Sequence, residues 1–202
     1  MPIAATLTPR EVAELSGAPK RVIEKAIEEH VLAVRVRPSA RAARLARRLL
    51  PSHAVAYVAI ITKLDLRLTT TVKKRLADRL ARLPPADIRT ARIELSPAVE
   101  LDVGRLVGDA MDRAERYRAA RDRAIVIDEA IKSGTPVIRG TRMTVYSVLG
   151  RVEHGETIDE ILADNPDLAR EAIEAAVTYA RTHPLMGRPA GRGPMLREAV
   201  HR

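Results

Sequence analysis

The chain has 202 residues, 46% of them hydrophobic and 30% charged, with 35 Lys and Arg against 26 Asp and Glu and a formal net charge of +9. That length suits one large domain or two to three small ones, and the apolar content excludes wholesale disorder. The absence of cysteine excludes disulfides and thiolate metal sites, and four tyrosines without Phe or Trp exclude an aromatic platform for stacked single-stranded bases.

The first predicted helix opens at Thr8-Pro9-Arg10-Glu11, where Thr8 can cap, Pro9 fits the first helical position and Glu11 can return a bond to the Thr8 amide. It closes at Gly17. A second helix starts at Pro19, with Val22, Ile23, Ala26 and Ile27 as its buried stripe and His30 at its end. Val31 to Val36 then reads as a strand stopped by Pro38. Two short helices around a glycine turn, followed by a strand, give residues 1–50 the pattern of a winged helix-turn-helix. Lys20, Arg21 and Lys25 point away from the apolar stripe and suit guanine edges in a major groove, although Glu24, Glu28 and Glu29 share their solvent side.

Residues 39–50 are predicted to form a strongly basic helix, with Arg41, Arg44, Arg47 and Arg48 around Leu45 and Leu49. The whole excess of charge lies here and just beyond. Residues 36–92 hold fourteen basic and three acidic side chains, whereas residues 1–35 and 133–202 are balanced and residues 93–132 are slightly acidic. Arg35, Arg37, Arg41 and Arg44 are the candidates for a clamp on DNA phosphates, which sets affinity and register rather than sequence choice. A solvated basic helix is the alternative.

Residues 51–123 form a basic middle region. An apolar helix follows Pro51, and a basic one runs from about Thr69 to Leu83. The longest uncharged stretch, Leu49 to Thr62, falls short of the ~20 residues that span a bilayer. Because Met1 to Arg10 also lacks a secretory pattern, the expected setting is the cytoplasm, with no membrane partner. Pro84-Pro85 marks a boundary, and Ala91–Leu95 with Val99–Val103 predict a small hairpin. A long helix from about Gly104 to Arg121 follows, with Leu106, Val107, Ala110, Met111, Ala114 and Tyr117 on its apolar face.

Residues 124–183 predict a trihelical, helix-turn-helix-like unit. Its parts are a strand at Ala124–Ile127, a loop from Gly134 to Arg142 and a helix ending at Gly155. A second capping box follows at Thr157–Glu160, then an Asn165-Pro166 turn and a helix from Ala169 to Thr182. The fold class expected is mainly α with small β elements. Outward Asp159, Glu160, Asp164, Glu171 and Glu174 disfavour DNA on this unit and favour packing, dimerisation or a protein partner. Tyr146 and Tyr179 fit either core or interface. Residues 184–202 carry three prolines and three glycines and are expected to be a flexible tail. The five histidines show no metal spacing, and no nucleophile triad or phosphate loop occurs, so no enzyme, cofactor or metal site is expected.

The run Thr135-Pro136-Val137-Ile138-Arg139-Gly140-Thr141-Arg142 is followed by Gly155-Glu156-Thr157, Asn165-Pro166-Asp167-Leu168 and Ile173–Ala180. Together they resemble a family of short bacterial proteins catalogued as domain-of-unknown-function family four-three-three and largely read as antitoxins. The resemblance covers about residues 124–185. With the N-terminal unit, the whole is similar to a VapB-type antitoxin subgroup found beside PIN-like ribonuclease toxins. The first 30 residues also resemble the opening helices of MerR-type or excisionase-type DNA-binding domains. Two positions depart from these patterns: Ala169 replaces a capping Ser or Thr, and Glu24 and Lys25 stand where an aromatic is common in the MerR pattern.

The resemblance implies a homodimer that represses its own promoter by binding double-stranded DNA and neutralises a PIN-like ribonuclease toxin by direct contact. Arg188, Arg192, Leu196 and Arg197 in the tail would be the toxin-binding residues, with an arginine meeting the toxin's metal-binding carboxylates. In the family-motif loop, Pro136, Arg139, Gly140, Thr141 and Arg142 allow two readings. One is an anion cradle; the other is a tight turn at Gly140 with an arginine paired to Asp128. The alternative to an antitoxin is a stand-alone transcription regulator without a toxin.

Overall fold

The structure is a computed structural model that describes residues 6–39, 42–64 and 66–185; the side chains of residues 6, 37–39 and 42–47 are outside that description. Strand β1 (Thr6–Leu7) leads directly into helix α1 (Pro9–Ser16). The expected capping box is in place. Thr8 Oγ1 accepts from the Glu11 amide at 3.2 Å, and Glu11 Oε2 accepts from the Thr8 amide at 2.6 Å. Gly17 ends the helix at φ 69°, a left-handed conformation that favours glycine.

Helix α2 (Lys20–Glu28) buries Ile23 and Ala26. His30, at φ 54°, turns the chain so that the amides of Val31 and Leu32 both reach the Ala26 carbonyl. Val31 and Leu32 are then buried, so the strand predicted from Val31 begins only at Arg35.

The largest correction follows. The predicted basic helix over 39–50 is a strand, β3 (Ala42–Pro51), paired antiparallel with β2 (Arg35–Ser39). β3 also pairs with β1, Leu7 opposite Leu50, giving a three-stranded sheet in the order β1-β3-β2. Ala, Arg and Leu favour helix in isolation. Here partners on both edges and complete burial of Leu7 and Leu50 outweigh that small local preference.

Helix α3 (His53–Lys63) is buried continuously from Ala54 to Ile60, as expected of a helix surrounded by others. It packs against α1, α4 (Thr70–Arg82) and α5 (Val103–Ala124). Between α4 and α5 lies the expected hairpin of β4 (Arg92–Ser96) and β5 (Val99–Asp102), with Ile93 opposite Leu101. The Asp102 side chain caps α5. Gly104 sits so close to Arg89 that a Cβ there would lie 2.0 Å from the Arg89 carbonyl oxygen.

After α5 the expected strand shortens to β6 (Ile125–Val126), and the loop from Gly134 contains its partner, β7 (Val137–Ile138). Helices α6 (Val145–Glu153), α7 (Ile158–Asp164) and α8 (Arg170–Thr182) complete the trihelical unit. Ala169 precedes α8 without a side-chain cap. The fold is thus mainly α with small β elements. α8 packs on α5 and α6 and reaches α1, so buried residues from Leu7 to Ala180 form one contiguous core. Among the described residues no helix is long and apolar enough to cross a membrane.

Candidate nucleic-acid interface

Lys20, Arg21 and Lys25 are all exposed on α2, opposite its buried Ile23 and Ala26. The glutamates beside them are partly neutralised. Glu24 pairs with Lys20 at 2.7 Å, and Glu29 pairs with Lys73 of α4 at 2.9 Å and with Lys25 at 3.8 Å. The hydrogen bond from Lys73 holds the Glu29 carboxyl below the usual carboxylate range, against a smaller opposing effect of burial. Arg21 makes no ion pair among the described residues, and Glu28 is exposed.

The β2–β3 hairpin follows. Its two strands contain Arg35, Arg37, Arg44, Arg47 and Arg48 and no acidic residue. Arg35 and Arg48 are exposed, and the ladder sets Arg37 opposite Arg47. Arg41 lies outside the described residues, as do the side chains of Arg37 and Arg44. Of the clamp candidates, Arg44 is therefore carried on strand β3 rather than the expected helix, and Arg35 and Arg37 lie on β2.

The family-motif loop is tied into the fold. The Pro136 carbonyl accepts from the Val145 amide at 3.0 Å, and Gly140 turns the chain at φ 77°. The Thr141 hydroxyl donates to the Ile138 carbonyl at 2.9 Å and accepts from the Met143 amide at 3.0 Å. Arg139 does not pair with Asp128. Its amide donates to the Ala124 carbonyl and its Nε to the Arg123 carbonyl, each at 2.7 Å, which satisfies the open carbonyls at the end of α5. Asp128 accepts instead from the Ala130 amide at 2.9 Å. Arg142 is exposed.

Residues 125–180 match the family described as protein of unknown function (DUF433). The match runs from β6 nearly to the end of α8 and includes the Pro136–Arg142 loop. The chain is also 28% identical over 200 residues to the uncharacterized protein y4eO of Sinorhizobium fredii (strain NBRC 101917 / NGR234), covering 92% of this chain and 85% of that protein. No solved structure matches.

Within the DUF433 segment, several acidic side chains are engaged internally: Asp159 with Arg170, and Asp164 and Glu156 with Arg151. Glu171 and Glu174 on α8 are exposed. Tyr179 is buried and stacks on His183 with ring centroids 4.1 Å apart, while the half-buried Tyr146 donates its hydroxyl to the His183 carbonyl at 2.7 Å. Both tyrosines thus secure the end of α8. The toxin-contact candidates Arg188, Arg192, Leu196 and Arg197 lie outside the described residues. Among the described residues no group of three His, Asp or Glu side chains could hold a metal ion.

Two arrangements were not read from the sequence. One is the Lys73–Glu29 pair, which joins positions 44 residues apart and leaves no local signal. The other is a buried junction in which Glu11 Oε1 accepts from the Tyr117 hydroxyl at 2.6 Å and from Arg121 Nη1 at 2.9 Å. Here a signal existed: Arg121 follows Tyr117 by four residues, which puts a cation on the apolar face of α5.

Proposed function

We propose that this chain is the antitoxin of a type II toxin-antitoxin pair. In this reading its β1–α1–α2–β2–β3 unit is a winged helix-turn-helix that binds double-stranded promoter DNA as a homodimer, and its C-terminal part neutralises a PIN-like ribonuclease by direct contact. The observation that carries the DNA half is the all-basic β2–β3 hairpin following α2, with five arginines and no acid. The pairing of Glu24 and Glu29 with lysines lessens the objection that α2 would repel phosphate. Support for the antitoxin half is the DUF433 match together with the resemblance stated above.

The test is to tag the protein in its native host, purify it at moderate salt and identify its companions. A nuclease in fixed ratio, active on RNA only once separated, supports the reading. Its reproducible absence, with promoter binding intact, leaves a stand-alone transcription regulator. Deleting residues 184–202 should abolish neutralisation while sparing DNA binding; full neutralisation by the shortened chain would rule out the tail as the inhibitory element.

A further inference from the structure

A groove of about 620 Å³ opens beside the outward face of α2, walled by α2, α3, the turn after α3 and the start of α4. Arg21 and Lys25 from α2, Arg67 from the turn and Lys73 from α4 line it, with Glu29 the one carboxylate among the lining residues. Lys73 and Lys25 compensate that carboxylate at 2.9 and 3.8 Å. Arg21 and Arg67 are exposed and make no ion pair among the described residues. Among the described residues, the groove therefore presents two guanidinium groups that make no ion pair, and the one lining carboxylate is paired with lysines.

We propose that this groove receives a backbone phosphate of the DNA that lies against α2, with Arg67 and Arg21 as the contacting cations. Lys73 then serves to keep Glu29 from repelling that phosphate. The inference rests on the DNA-binding reading above and extends the contact surface to the α3–α4 turn, outside the first 50 residues. A free anion gains little from exposed arginines, because water screens each charge. A polymer already held by the hairpin is different, since it delivers its next phosphates at high local concentration. Arg21 and Lys25 belong to both surfaces, so a duplex touching the outward face of α2 reaches the groove through the same two side chains.

The experiment is a fluorescence-anisotropy titration of the full chain with a labelled duplex carrying the promoter region upstream of its gene, repeated across salt concentrations. Arg67→Gln should flatten the slope of log K against log salt by about 0.9 and weaken binding about fivefold near ~0.15 M salt. The loss should be the same on a scrambled duplex, because a phosphate contact carries no sequence information. Lys73→Gln should weaken binding more than Arg67→Gln, since it also frees the Glu29 charge, and adding Glu29→Gln should recover part of that loss. Arg67 is exposed, so an unchanged thermal midpoint checks that the variant folds. An unchanged slope for Arg67→Gln, beside a reduced slope for Arg48→Gln, overturns the groove and leaves the DNA reading standing. No salt-dependent binding by the wild type overturns both. Displacement by inorganic phosphate at constant ionic strength, in the wild type but not in Arg67→Gln, overturns the proposal in favour of a free-anion site.

Discussion

Thr8–Glu11 and Thr157–Glu160 are the same four-residue device at the starts of two helices, and the molecule uses them differently. At α7, Glu160 stays in solvent and its carboxylate, among the described residues, bonds only to Thr157, accepting from its amide and its hydroxyl at 2.8 Å each. Those bonds draw its carboxyl below the usual range. At α1, Glu11 is 2% exposed. One of its oxygens caps the helix, while the other accepts from Tyr117 and Arg121, more than a hundred residues away. Burial pushes the Glu11 carboxyl up. The Tyr117 hydroxyl, the nearby His183, the Thr8 amide and Arg121 together outweigh it and leave it below 4.5. A local cap satisfies only part of a carboxylate; where α5 packs over it, the remaining oxygen becomes a bond between distant segments.

Substitutions can break or sharpen this contrast. Glu11→Ala should act most strongly, because it removes the carboxylate from a buried hydroxyl and leaves the largely buried Arg121 guanidinium with Asp122 at its Nε; a loss of about 3 kcal/mol is expected. Urea unfolding reads it as a lower midpoint at unchanged slope, and a shift no larger than that of Thr157→Ala would remove the distinction. Glu11→Gln tests the charge itself. Since the folded pKa lies below the unfolded 4.5, the stabilisation from ionised Glu11 is complete above that value and is lost as pH falls through the lower folded one. Acid unfolding of the variant should accordingly be shallower below about pH 4.5 than that of the wild type. A superimposable acid limb would mean that Glu11 does not titrate with folding.

Smaller effects belong to the exposed cap. Thr157→Ala should cost about 1 kcal/mol by unsatisfying one amide of α7, and Glu160→Gln should lower the midpoint by less, through loss of the charge that those bonds favour. At α8 the sign reverses. Ala169 has extended backbone angles suited to capping but no side chain to do it, so Ala169→Ser should raise stability by about 0.5 kcal/mol. A fall in the melting midpoint would show that the start of α8 is satisfied in another way.

Much of the local structure was legible from spacing alone. Both capping boxes, the Gly17 stop, the β4–β5 hairpin and the apolar face of α5 follow from short-range patterns, and the structure has each of them. Residues 42–51 were misread because their Ala, Arg and Leu content speaks for helix, whereas the forces that decide come from β1 and β2. Among the side chains of that strand that the structure describes, only Leu50 is fully buried, and one such residue sets no period. The exposed cations of α2 were likewise readable from the apolar stripe. The compensation of Glu29 by Lys73, and the groove that Arg67 completes, depend on how α4 is set beside α2, which no stretch of sequence records.

The last helix ends beside the first. Arg181 Nη1 lies 3.7 Å from Glu14 Oε1, Thr182 is buried, and both border the cleft at Gly17 where α1 turns toward α2. The end of α8 therefore sits beside the first helix, however far apart the two stand in sequence. Under the proposed function, a protein partner seated at the end of α8 would crowd a duplex held by the N-terminal unit, so each would feel the other through excluded volume, with no rearrangement of the core needed to carry the message.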